Sequence, residues 1–429
     1  MSPTVSFKTI GCRLNQAETA AMTAHFSGAG YEAVPFGVPA DVTVIHGCAI
    51  TSKAEHSSLY AARQAKRIRP DTLVILAGCP AETLGKALNG NPNIDLTIGQ
   101  GGKYAIPEML NQLDPKRYPI PQAPHPTPTV PQFDTKRALI KIQDGCDFHC
   151  AYCIVPTTRG NPISRPIPVI RDEVLRVTDS GFSEIVLTGA NLGRYEDGSR
   201  RLADLILNLE SIPAVKRIRL SSIEITTTEN AIIDHMAAST KLCHFLHIPL
   251  QSGDDRILAA MGRRYDSITY RRTIETSLSR IPDLGLGTDI IVGFPGEDSA
   301  AFGNTVTLVR ELPFSNLHIF PYSQRSGTRA DTMDNQIATS EKKERLRILT
   351  ALGETKRQIF AERFVGQLVS ILIERIDADG TGHGWTSQYL EARVSGPSLL
   401  PRAIVTAQVT QAMDGCLDCN IPTNPSTRP

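Results

Sequence analysis

Apolar runs and helical patterns alternate along the first 115 residues of the chain. Short apolar runs predict strands at Val5–Ile10, Val42–His46, Leu73–Ala77 and Ile94–Ile98. Between and after them, the spacing of apolar residues predicts amphipathic helices at Asn15–Ser27, Ala54–Ile68, Ala81–Leu88 and Ile106–Leu113. Strands that alternate with helices are typical of a doubly wound parallel sheet. We therefore expect residues 1–115 to form an α/β domain of that type.

The same alternation resumes at Ala138 and continues for about 200 residues, a length that one α/β barrel can fill. The alternation predicts six strands, at Ala138–Ile142, Glu184–Leu187, Arg217–Leu220, Phe245–Ile248, Asp289–Val292 and Leu317–Phe320. Helices are predicted between them, for example at Ile170–Asp179, Leu202–Leu209, Asp255–Met261 and Thr305–Glu311. Six such units predict a partial (β/α)6 barrel over residues 136–361, with its active site at the carboxyl ends of the strands.

The pattern changes to strands alone over residues 362–415. Strands are predicted at Gln367–Ile373, Tyr389–Val394 and Ala403–Val409, with turns at Gly380, Gly382, Gly384 and Gly396. This predicts a small β-barrel of the oligonucleotide-binding type. Trp385 and Tyr389 could stack on bases, or they could be core residues. Positions 362–414 hold four arginines, six acidic residues and no lysine, which differs from the basic face usual in RNA-binding barrels.

Two segments lack any such periodicity. Residues 116–135 are rich in proline and predict an extended linker between the first two domains. Residues 416–429 begin with Cys416-Leu417-Asp418-Cys419 and end in proline, threonine and serine, which predicts a disordered tail. The two cysteines of the tail could bind metal or cycle redox, and an incidental pair is the simpler interpretation.

Composition narrows the class of protein. The chain has 429 residues, of which 41% are hydrophobic and 21% charged, as in soluble proteins with several domains. A net charge of +1 argues against a protein that coats nucleic acid with a strongly basic surface. We find neither a signal-peptide pattern nor an apolar run near the roughly 20 residues of a membrane span. The nine cysteines therefore predict metal ligation in a reducing cytoplasm rather than disulfides.

Three thiols lie within eight residues in the stretch Cys146-Asp147-Phe148-His149-Cys150-Ala151-Tyr152-Cys153, after the first predicted barrel strand. Structural zinc sites close with four ligands, usually in two pairs, and no second pair stands nearby in the sequence. Three thiolates on a four-iron cluster leave one iron open, and an open iron can chelate S-adenosylmethionine (SAM). The spacing therefore favours an iron–sulfur cluster, and the alternative is a zinc site that takes His149 as its fourth ligand.

Three more cysteines each follow a glycine and a predicted strand of the first domain, in the pairs Gly11-Cys12, Gly47-Cys48 and Gly78-Cys79. Ligands bind outside the carboxyl ends of parallel strands, so the three loops could converge on one point. A glycine would let the backbone approach a bulky inorganic ligand there. One such cysteine would be an ordinary core residue, but the repetition favours a second ligand site over three unrelated buried thiols.

Polar and glycine-containing motifs also follow the later barrel strands, at the edge where Cys146 is expected. They are Thr188–Gly193, Ser221–Glu224, Pro249–Asp255, Gly293–Glu297 and Pro321–Ser323. Their repetition at one rim predicts a pocket for the amine, carboxylate and ribose of a cofactor. Structural roles are the alternative for about half of them, because few pocket positions contact a ligand directly.

Together these motifs resemble the radical SAM methylthiotransferases, from Val5 to about Met413. That family combines an N-terminal domain with three cluster cysteines, a radical SAM partial barrel and a C-terminal TRAM domain. Gly11-Cys12-Arg13-Leu14-Asn15-Gln16 looks like the branch that acts on threonylcarbamoyladenosine beside the tRNA anticodon. Other segments similar to that branch are Gln143–Cys146, Arg159-Gly160, Ser164-Arg165, His247–Asp254, Thr288–Glu297 and His318–Thr328.

The resemblance implies two [4Fe-4S] clusters. The first would cleave SAM to a 5′-deoxyadenosyl radical and would be held by Cys146, Cys150 and Cys153. The second, an auxiliary cluster that carries the sulfur to be inserted, would be held by Cys12, Cys48 and Cys79. One SAM would methylate that sulfur, and another would give the radical that removes hydrogen from C2 of the adenine at position 37. Our candidate SAM-binding residues are Thr188, Gly189, Asn191, Ser222 and Glu224.

The implied partners are the anticodon stem-loop of tRNA and an electron donor such as flavodoxin or ferredoxin, with no membrane involved. The sulfur donor and the tRNA isoacceptors stay open. Two alternatives keep the chemistry and change the target, to isopentenyl-adenosine in tRNA or to an aspartate of a ribosomal protein. A more remote alternative is an iron–sulfur protein that binds RNA without catalysis.

Overall fold

The N-terminal domain contains a five-stranded parallel sheet, in a computed structural model that describes residues 2–120, 131, 133 and 135–422. Its strands β1–β5 are Thr4–Thr9, Glu32–Val34, Val42–Gly47, Leu73–Gly78 and Leu96–Ile98. Its helices α1–α4 are Arg13–Gly28, Ser52–Ile68, Cys79–Leu84 and Ile106–Leu113. The strand order is β2-β1-β3-β4-β5, with every neighbouring pair parallel.

Apolar residues cover both faces of this sheet. Val44 of β3 and Ile75 of β4 pack in one core cluster with α1 and α4, while Ile45 and Leu76 pack in another with α2. A central parallel strand buried on both faces reads as a continuous apolar run rather than an alternating one. The doubly wound arrangement expected for this domain is confirmed.

The central domain combines a partial barrel with several two-residue strands that lie outside it. Strands β6–β15 are Ala138–Lys141, Gln143–Asp144, Ile163–Ser164, Glu184–Thr188, Glu196–Asp197, Arg200–Arg201, Arg217–Leu220, Phe245–His247, Gly285–Val292 and Asn316–Pro321. Helices α5–α12 are Val155–Arg159, Ile167–Asp179, Leu202–Glu210, Asn230–Ala238, Asp255–Ala260, Ser267–Arg280, Ser299–Glu311 and Thr339–Glu362.

Six of these strands run parallel in the order β6-β9-β12-β13-β14-β15. The two three-stranded halves are joined where Ile223 donates a backbone hydrogen bond to the carbonyl of His247 at 3.0 Å. Leucines, isoleucines and valines pack the outer face of the strands against α6, α7, α8, α10 and α11. The partial (β/α)6 barrel is thus present, and its inner face forms a lumen.

The first domain packs against the central one through α1. Ala17 of α1 lies in a buried cluster with Leu139 of β6 and Val186 of β9, two residues on the lumen side of the strands. Helix α1 begins directly after Cys12. The packing therefore brings the Cys12 loop towards the partial barrel.

The C-terminal domain is a closed barrel of five strands. Strands β16–β20 are Leu368–Ile376, Gly382–Thr386, Glu391–Ser395, Ile404–Met413 and Cys416–Asn420, in the order β16-β17-β18-β20-β19. The prediction of a disordered tail from residue 416 is wrong for Cys416–Asn420. Leu417 and Cys419 are buried in the barrel core, and backbone pairing with β18 and β19 closes the barrel. Residues 423–429 lie outside the described residues.

The linker prediction falls largely outside the described part of the chain. Within that part, Tyr118 is buried and Ile120 packs beside it against the core of the first domain. The structured part of the first domain therefore extends beyond residue 115. Among the described residues, no helix is both long and apolar enough to cross a membrane.

The loop between β17 and β18 docks onto the amino-terminal ends of the partial-barrel strands. The guanidinium of Arg219 donates to the carbonyls of Thr386 at 2.9 Å and Ser387 at 3.1 Å. Tyr389 stacks on Trp385 with ring centroids 4.6 Å apart and on Phe245 at 4.9 Å. Tyr389 therefore lies in a domain interface rather than on a free face.

Candidate functional site

The loop that carries Cys146, Cys150 and Cys153 is fixed by backbone hydrogen bonds to three other segments. The N–H of Cys146 donates to the carbonyl of Gly160 at 3.0 Å. The N–H of Ala151 donates to the carbonyl of Met261 at 2.8 Å, and the carbonyl of Ala151 accepts from Ala330 at 2.8 Å. The three thiols are thus held at the carboxyl end of β6, where barrel enzymes place their chemistry.

Each of these three thiols is half-buried and has a hydrogen-bond donor. Backbone N–H groups two residues further along donate to the sulfurs of Cys146 and Cys153, both at 3.4 Å. The guanidinium of Arg263 donates to the Cys150 sulfur at 3.2 Å. Burial raises the pKa of the Cys153 thiol to about 12 and also raises that of Cys146. A metal must therefore displace the protons, while the donors stabilise the thiolates once they form.

Two predicted SAM-binding residues, Gly189 and Asn191, lie against the side chain of Gln143, the first residue of the segment Gln143–Cys146. The amide oxygen of Gln143 accepts the N–H of Asn191 at 2.9 Å, and its amide nitrogen donates to the carbonyl of Gly145 at 2.7 Å. A Cβ on Gly189 would lie 2.9 Å from the same amide oxygen. Gly189 is therefore required by this close approach, whatever its role towards a cofactor. The neighbouring Thr188, also a predicted SAM-binding residue, is buried.

The other two predicted SAM-binding residues lie on the loop after β12. Ser222 is exposed, and Glu224 forms an ion pair with Arg263, the same residue that contacts Cys150. The ring of Tyr265 lies 5.0 Å from that guanidinium. Burial raises the pKa of Glu224, although Arg263 opposes the shift. The sequence motif identified Glu224, but no local pattern predicted that Arg263 would pair with it.

The Gly-Cys loops of the first domain meet at the carboxyl ends of β1, β3 and β4. A Cβ on Gly11, which has a φ of +134°, would lie 2.8 Å from Cβ of Cys48. A Cβ on Gly78 would lie 2.8 Å from the ring of His46, and one on Gly47 would lie 2.6 Å from Pro80. The glycines are therefore required because neighbouring loops approach each other, which brings the three cysteines together.

The three thiols of this second set differ in exposure. Cys12 is exposed, while Cys48 and Cys79 are buried. Burial raises the pKa of Cys48 to about 11, and the charges of the other two thiols would raise it further. The amide nitrogen of Gln100 donates to the Cys79 sulfur at 3.1 Å. Gln100 follows β5 and is a further site residue that the sequence motifs missed.

The two cysteine sets face each other across the interface between the first two domains. Ile154, next to Cys153, packs in one small buried cluster with Cys79 and with Ala49, the residue after Cys48. The residue after Cys153 therefore packs against Cys79 and against the residue after Cys48.

Arg159, at the end of α5, adds a polar connection at the same place. It forms ion pairs with Glu18 of α1 at 3.0 Å and with Asp144 at 2.8 Å. It also donates to the side-chain oxygen of Asn15 at 3.3 Å, and that oxygen accepts a hydrogen bond from the Cys12 thiol at 3.5 Å. The loop of Cys12 is thereby tied to the helix that follows Cys153.

Neither cysteine set has the geometry of a site for one metal ion. A tetrahedral zinc with Zn–S bonds of about 2.3 Å holds its sulfurs about 3.8 Å apart. In the described part of the chain, only His247, Asp289 and His318 bring three metal-ligating atoms within 4.8 Å of one another. His149 is exposed. Three soft thiolates are the usual protein ligands of an iron–sulfur cluster.

Comparison with known proteins decides the family. Residues 140–309 match the radical SAM superfamily, and residues 4–99 match the uncharacterized protein family UPF0004. The threonylcarbamoyladenosine tRNA methylthiotransferase MtaB of Bacillus subtilis is 32% identical over an alignment of 424 positions, which covers 95% of this chain and 94% of that protein. The chain belongs to the radical SAM methylthiotransferase family. The resemblance found in its motifs is confirmed.

Other relatives of this methylthiotransferase carry different names. The tRNA-2-methylthio-N(6)-dimethylallyladenosine synthase of Symbiobacterium thermophilum is 31% identical over an alignment of 450 positions, which covers 99% of this chain and 96% of that protein. The radical S-adenosylmethionine methyltransferase TsrM of Kitasatospora setae superposes with a TM-score of 0.58 at 13% identity, over 77% of both chains, and shares the fold. As a radical SAM enzyme, the methylthiotransferase uses SAM and a [4Fe-4S] cluster.

Proposed function

We propose that this enzyme inserts a methylthio group at C2 of N6-threonylcarbamoyladenosine at position 37 of tRNA, next to the anticodon. The observation that carries the proposal is the contact of Ile154 with Cys79, because it sets two cysteine triads against one interface. Sulfur insertion into a C–H bond needs both a hydrogen-abstracting centre and a sulfur source within reach of the same carbon. Two triads on one interface meet that requirement.

Each triad would hold one [4Fe-4S] cluster, the first on Cys146, Cys150 and Cys153 and the auxiliary one on Cys12, Cys48 and Cys79. When bound, the first cluster supplies the electron that cleaves SAM, and the auxiliary cluster supplies the sulfur. Arg263 and Gln100 donate to sulfurs of the two sets. Such donors stabilise negative charge on thiolates and thereby keep the ligands deprotonated.

Thr188, Gly189, Asn191, Ser222 and Glu224 stay our candidates for binding SAM. Asn191 supports this, because its N–H donates to the side chain of Gln143, three residues before Cys146. Glu224 already pairs with Arg263. In the proposed complex, Glu224 would accept hydrogen bonds from the cofactor with its remaining lone pairs while Arg263 compensates its charge.

The RNA partner would be the anticodon stem-loop. Exposed arginines at Arg63, Arg67, Arg264 and Arg272 offer phosphate contacts, whereas Lys66 is engaged in an ion pair with Asp95 at 2.8 Å. Electrons would come from a protein such as flavodoxin or ferredoxin. We expect the reaction to take place in the cytoplasm.

A second candidate substrate is isopentenyl-adenosine in tRNA. The relative from Symbiobacterium thermophilum, with its dimethylallyladenosine name, supports it at 31% identity. The Bacillus subtilis relative is 32% identical to this chain, so sequence identity alone does not distinguish the two substrates. The motif Gly11–Gln16, similar to the threonylcarbamoyladenosine branch, favours the first substrate.

Nucleoside mass spectrometry tests the proposal. The protein is expressed in cells that lack their own methylthiotransferases, with the Cys150→Ala variant as an inactive control. We expect tRNA digests to contain the methylthio form of threonylcarbamoyladenosine only with the wild-type protein. A methylthio group on isopentenyl-adenosine instead would contradict the substrate assignment. Unchanged nucleosides together with a heavier ribosomal protein would contradict a tRNA substrate altogether.

A further inference from the structure

Two histidines and an aspartate line the lumen of the partial barrel. In β13 and β14, Leu246 and Ile290 belong to the core between strands and helices. Successive side chains of a strand point to opposite faces, so the neighbouring His247 and Asp289 face the lumen. The parallel register sets His318 of β15 directly beside Asp289.

Asp289 lies between the two imidazoles. Its Oδ1 is 3.1 Å from Nε2 of His247 and 3.4 Å from Nδ1 of His318. The two rings lie with centroids 5.1 Å apart and a 33° tilt. Burial would raise the pKa of Asp289, but the two neighbouring imidazoles hold it far below its ordinary value. The carboxylate is therefore ionised between the two rings.

The chain makes room for this cluster. A Cβ on Gly287, the register partner of His247, would lie 2.7 Å from Nδ1 of that histidine. The side chain of His247 is 8% exposed and that of His318 is 47% exposed. The cluster is thus buried at one end and open at His318.

One buried atom of the cluster lacks an aligned hydrogen bond. Nε2 of His247 faces Asp289, yet it has no hydrogen-bond partner among the described residues. Burying a polar atom without a partner costs free energy. The cluster is therefore better suited to contact a polar ligand than to pack against an apolar one.

We propose that His247, Asp289 and His318 bind the polar substituent on N6 of the substrate adenosine, and that His318 donates to its carboxylate. This rests on the function proposed above. A threonylcarbamoyl group has a urea, a hydroxyl and a carboxylate, all of which accept hydrogen bonds. An isopentenyl group has no acceptor and would leave the cluster unpaired, and a site built for hydrogen bonds rejects such an analogue strongly.

The test compares His318→Phe with wild-type enzyme, both full-length and with reconstituted clusters. The matched control is His383→Phe in the C-terminal barrel, since His383 is also paired with an aspartate, Asp377, at 2.8 Å. His318→Gln restores one donor. The RNA substrates are anticodon stem-loops that carry threonylcarbamoyladenosine, its carboxylate methyl ester, isopentenyl-adenosine or unmodified adenosine.

We expect His318→Phe to lower kcat/KM on the threonylcarbamoyl RNA at least tenfold, mainly through KM. The methyl ester should weaken wild-type turnover in the same way, and His318→Gln should recover part of the loss. Release of 5′-deoxyadenosine without RNA should not change, because His318 contacts neither cysteine set. His383→Phe should stay within about twofold of wild type.

An unchanged preference of His318→Phe for threonylcarbamoyl RNA over unmodified RNA would overturn the inference. So would loss of that preference in EDTA-treated wild-type enzyme with intact clusters, if Mn²⁺ restored it, because the cluster would then act as a metal site. Wild-type turnover of the isopentenyl RNA alone would overturn both the inference and the proposed function. Turnover of the threonylcarbamoyl RNA without a His318 effect would overturn the inference only.

Discussion

Glu18 is a fully buried carboxylate among cationic side chains, and its removal gives the sharpest test of how the first two domains are joined. Its oxygens lie 2.7 Å from Nζ of Lys103, 2.6 Å from Nζ of Lys141 and 3.0 Å from Nη2 of Arg159. Nε2 of His46 lies 3.5 Å away. Glu18 and Lys103 belong to the first domain, while Lys141 and Arg159 belong to the barrel, so the network spans the interface.

Glu18→Gln keeps the volume and removes the charge. The side chains of Lys103 and Arg159 are only 1% and 4% exposed, so their charges cannot be solvated in place. Removing one partner of a buried ion pair costs about 3–5 kcal/mol. In the variant, Asp144 still neutralises Lys141 and Arg159, at 2.5 Å and 2.8 Å. We therefore expect the free energy of local unfolding to fall by about 3 kcal/mol, the low end of that range.

The pH dependence follows from the pKa of Glu18. Burial would raise it, but Arg159, Lys103 and Lys141 hold it well below the ordinary 4.5. A carboxyl group with a lowered pKa in the folded state stabilises the fold above its unfolded pKa and loses that effect as the pH falls through the folded value. The difference between wild type and Glu18→Gln should therefore be constant from neutral to alkaline pH and shrink below pH 4.5.

Native-state hydrogen exchange of the α1 amides measures this local opening free energy, which a global denaturation curve of a multidomain protein does not define. The control is Glu32→Gln, because Glu32 is exposed on β2. A loss of less than about 1 kcal/mol in Glu18→Gln, or a loss equal to that of the control, would refute the argument that the buried network holds the interface together.

Three further changes have distinct outcomes. Cys150→Ala should abolish release of 5′-deoxyadenosine from SAM while Cys48→Ala keeps part of it, and equal, complete loss in folded protein would contradict two separate sites. Gly189→Ala would set a Cβ 2.9 Å from the amide oxygen of Gln143, so native-state hydrogen exchange of the β9 amides should show a stability loss of about 1–3 kcal/mol. Tyr389→Phe removes a hydroxyl that accepts a hydrogen bond from the first domain, and we expect hydrogen exchange at the β17–β18 loop to show a loss of about 1 kcal/mol.

Strands with continuous apolar runs could be predicted from the sequence, because burial on both faces leaves little choice of residue type. The predicted strands Val42–His46 and Leu73–Ala77 begin where the structure places them and end one residue early. Gly382–Thr386 was expected to be a turn because of its glycines, yet it is a strand. Cys416–Asn420 alternates buried and exposed residues over only five positions, too short a pattern to separate from a tail.

Among the candidate site residues, those that share one loop could be predicted from the sequence, whereas those that meet only through tertiary contacts could not. The spacing of Cys146, Cys150 and Cys153 is visible in the sequence because these residues share one loop. Arg263 contacts Cys150 across 113 positions of sequence, and Arg159 contacts Glu18 across 141. The first contact depends on how the barrel strands assemble and the second on how the first two domains pack, so no local pattern encodes either.

The C-terminal barrel also takes part in fixing the auxiliary site. Arg13, the residue after Cys12, donates a hydrogen bond to the hydroxyl of Tyr389, which has a φ of +64°. A bulky residue holds that backbone conformation only where its surroundings require it. In the proposed reaction a small displacement of a reacting group is costly, so a rigid contact between the third domain and the Cys12 loop favours a fixed distance between the two cysteine triads.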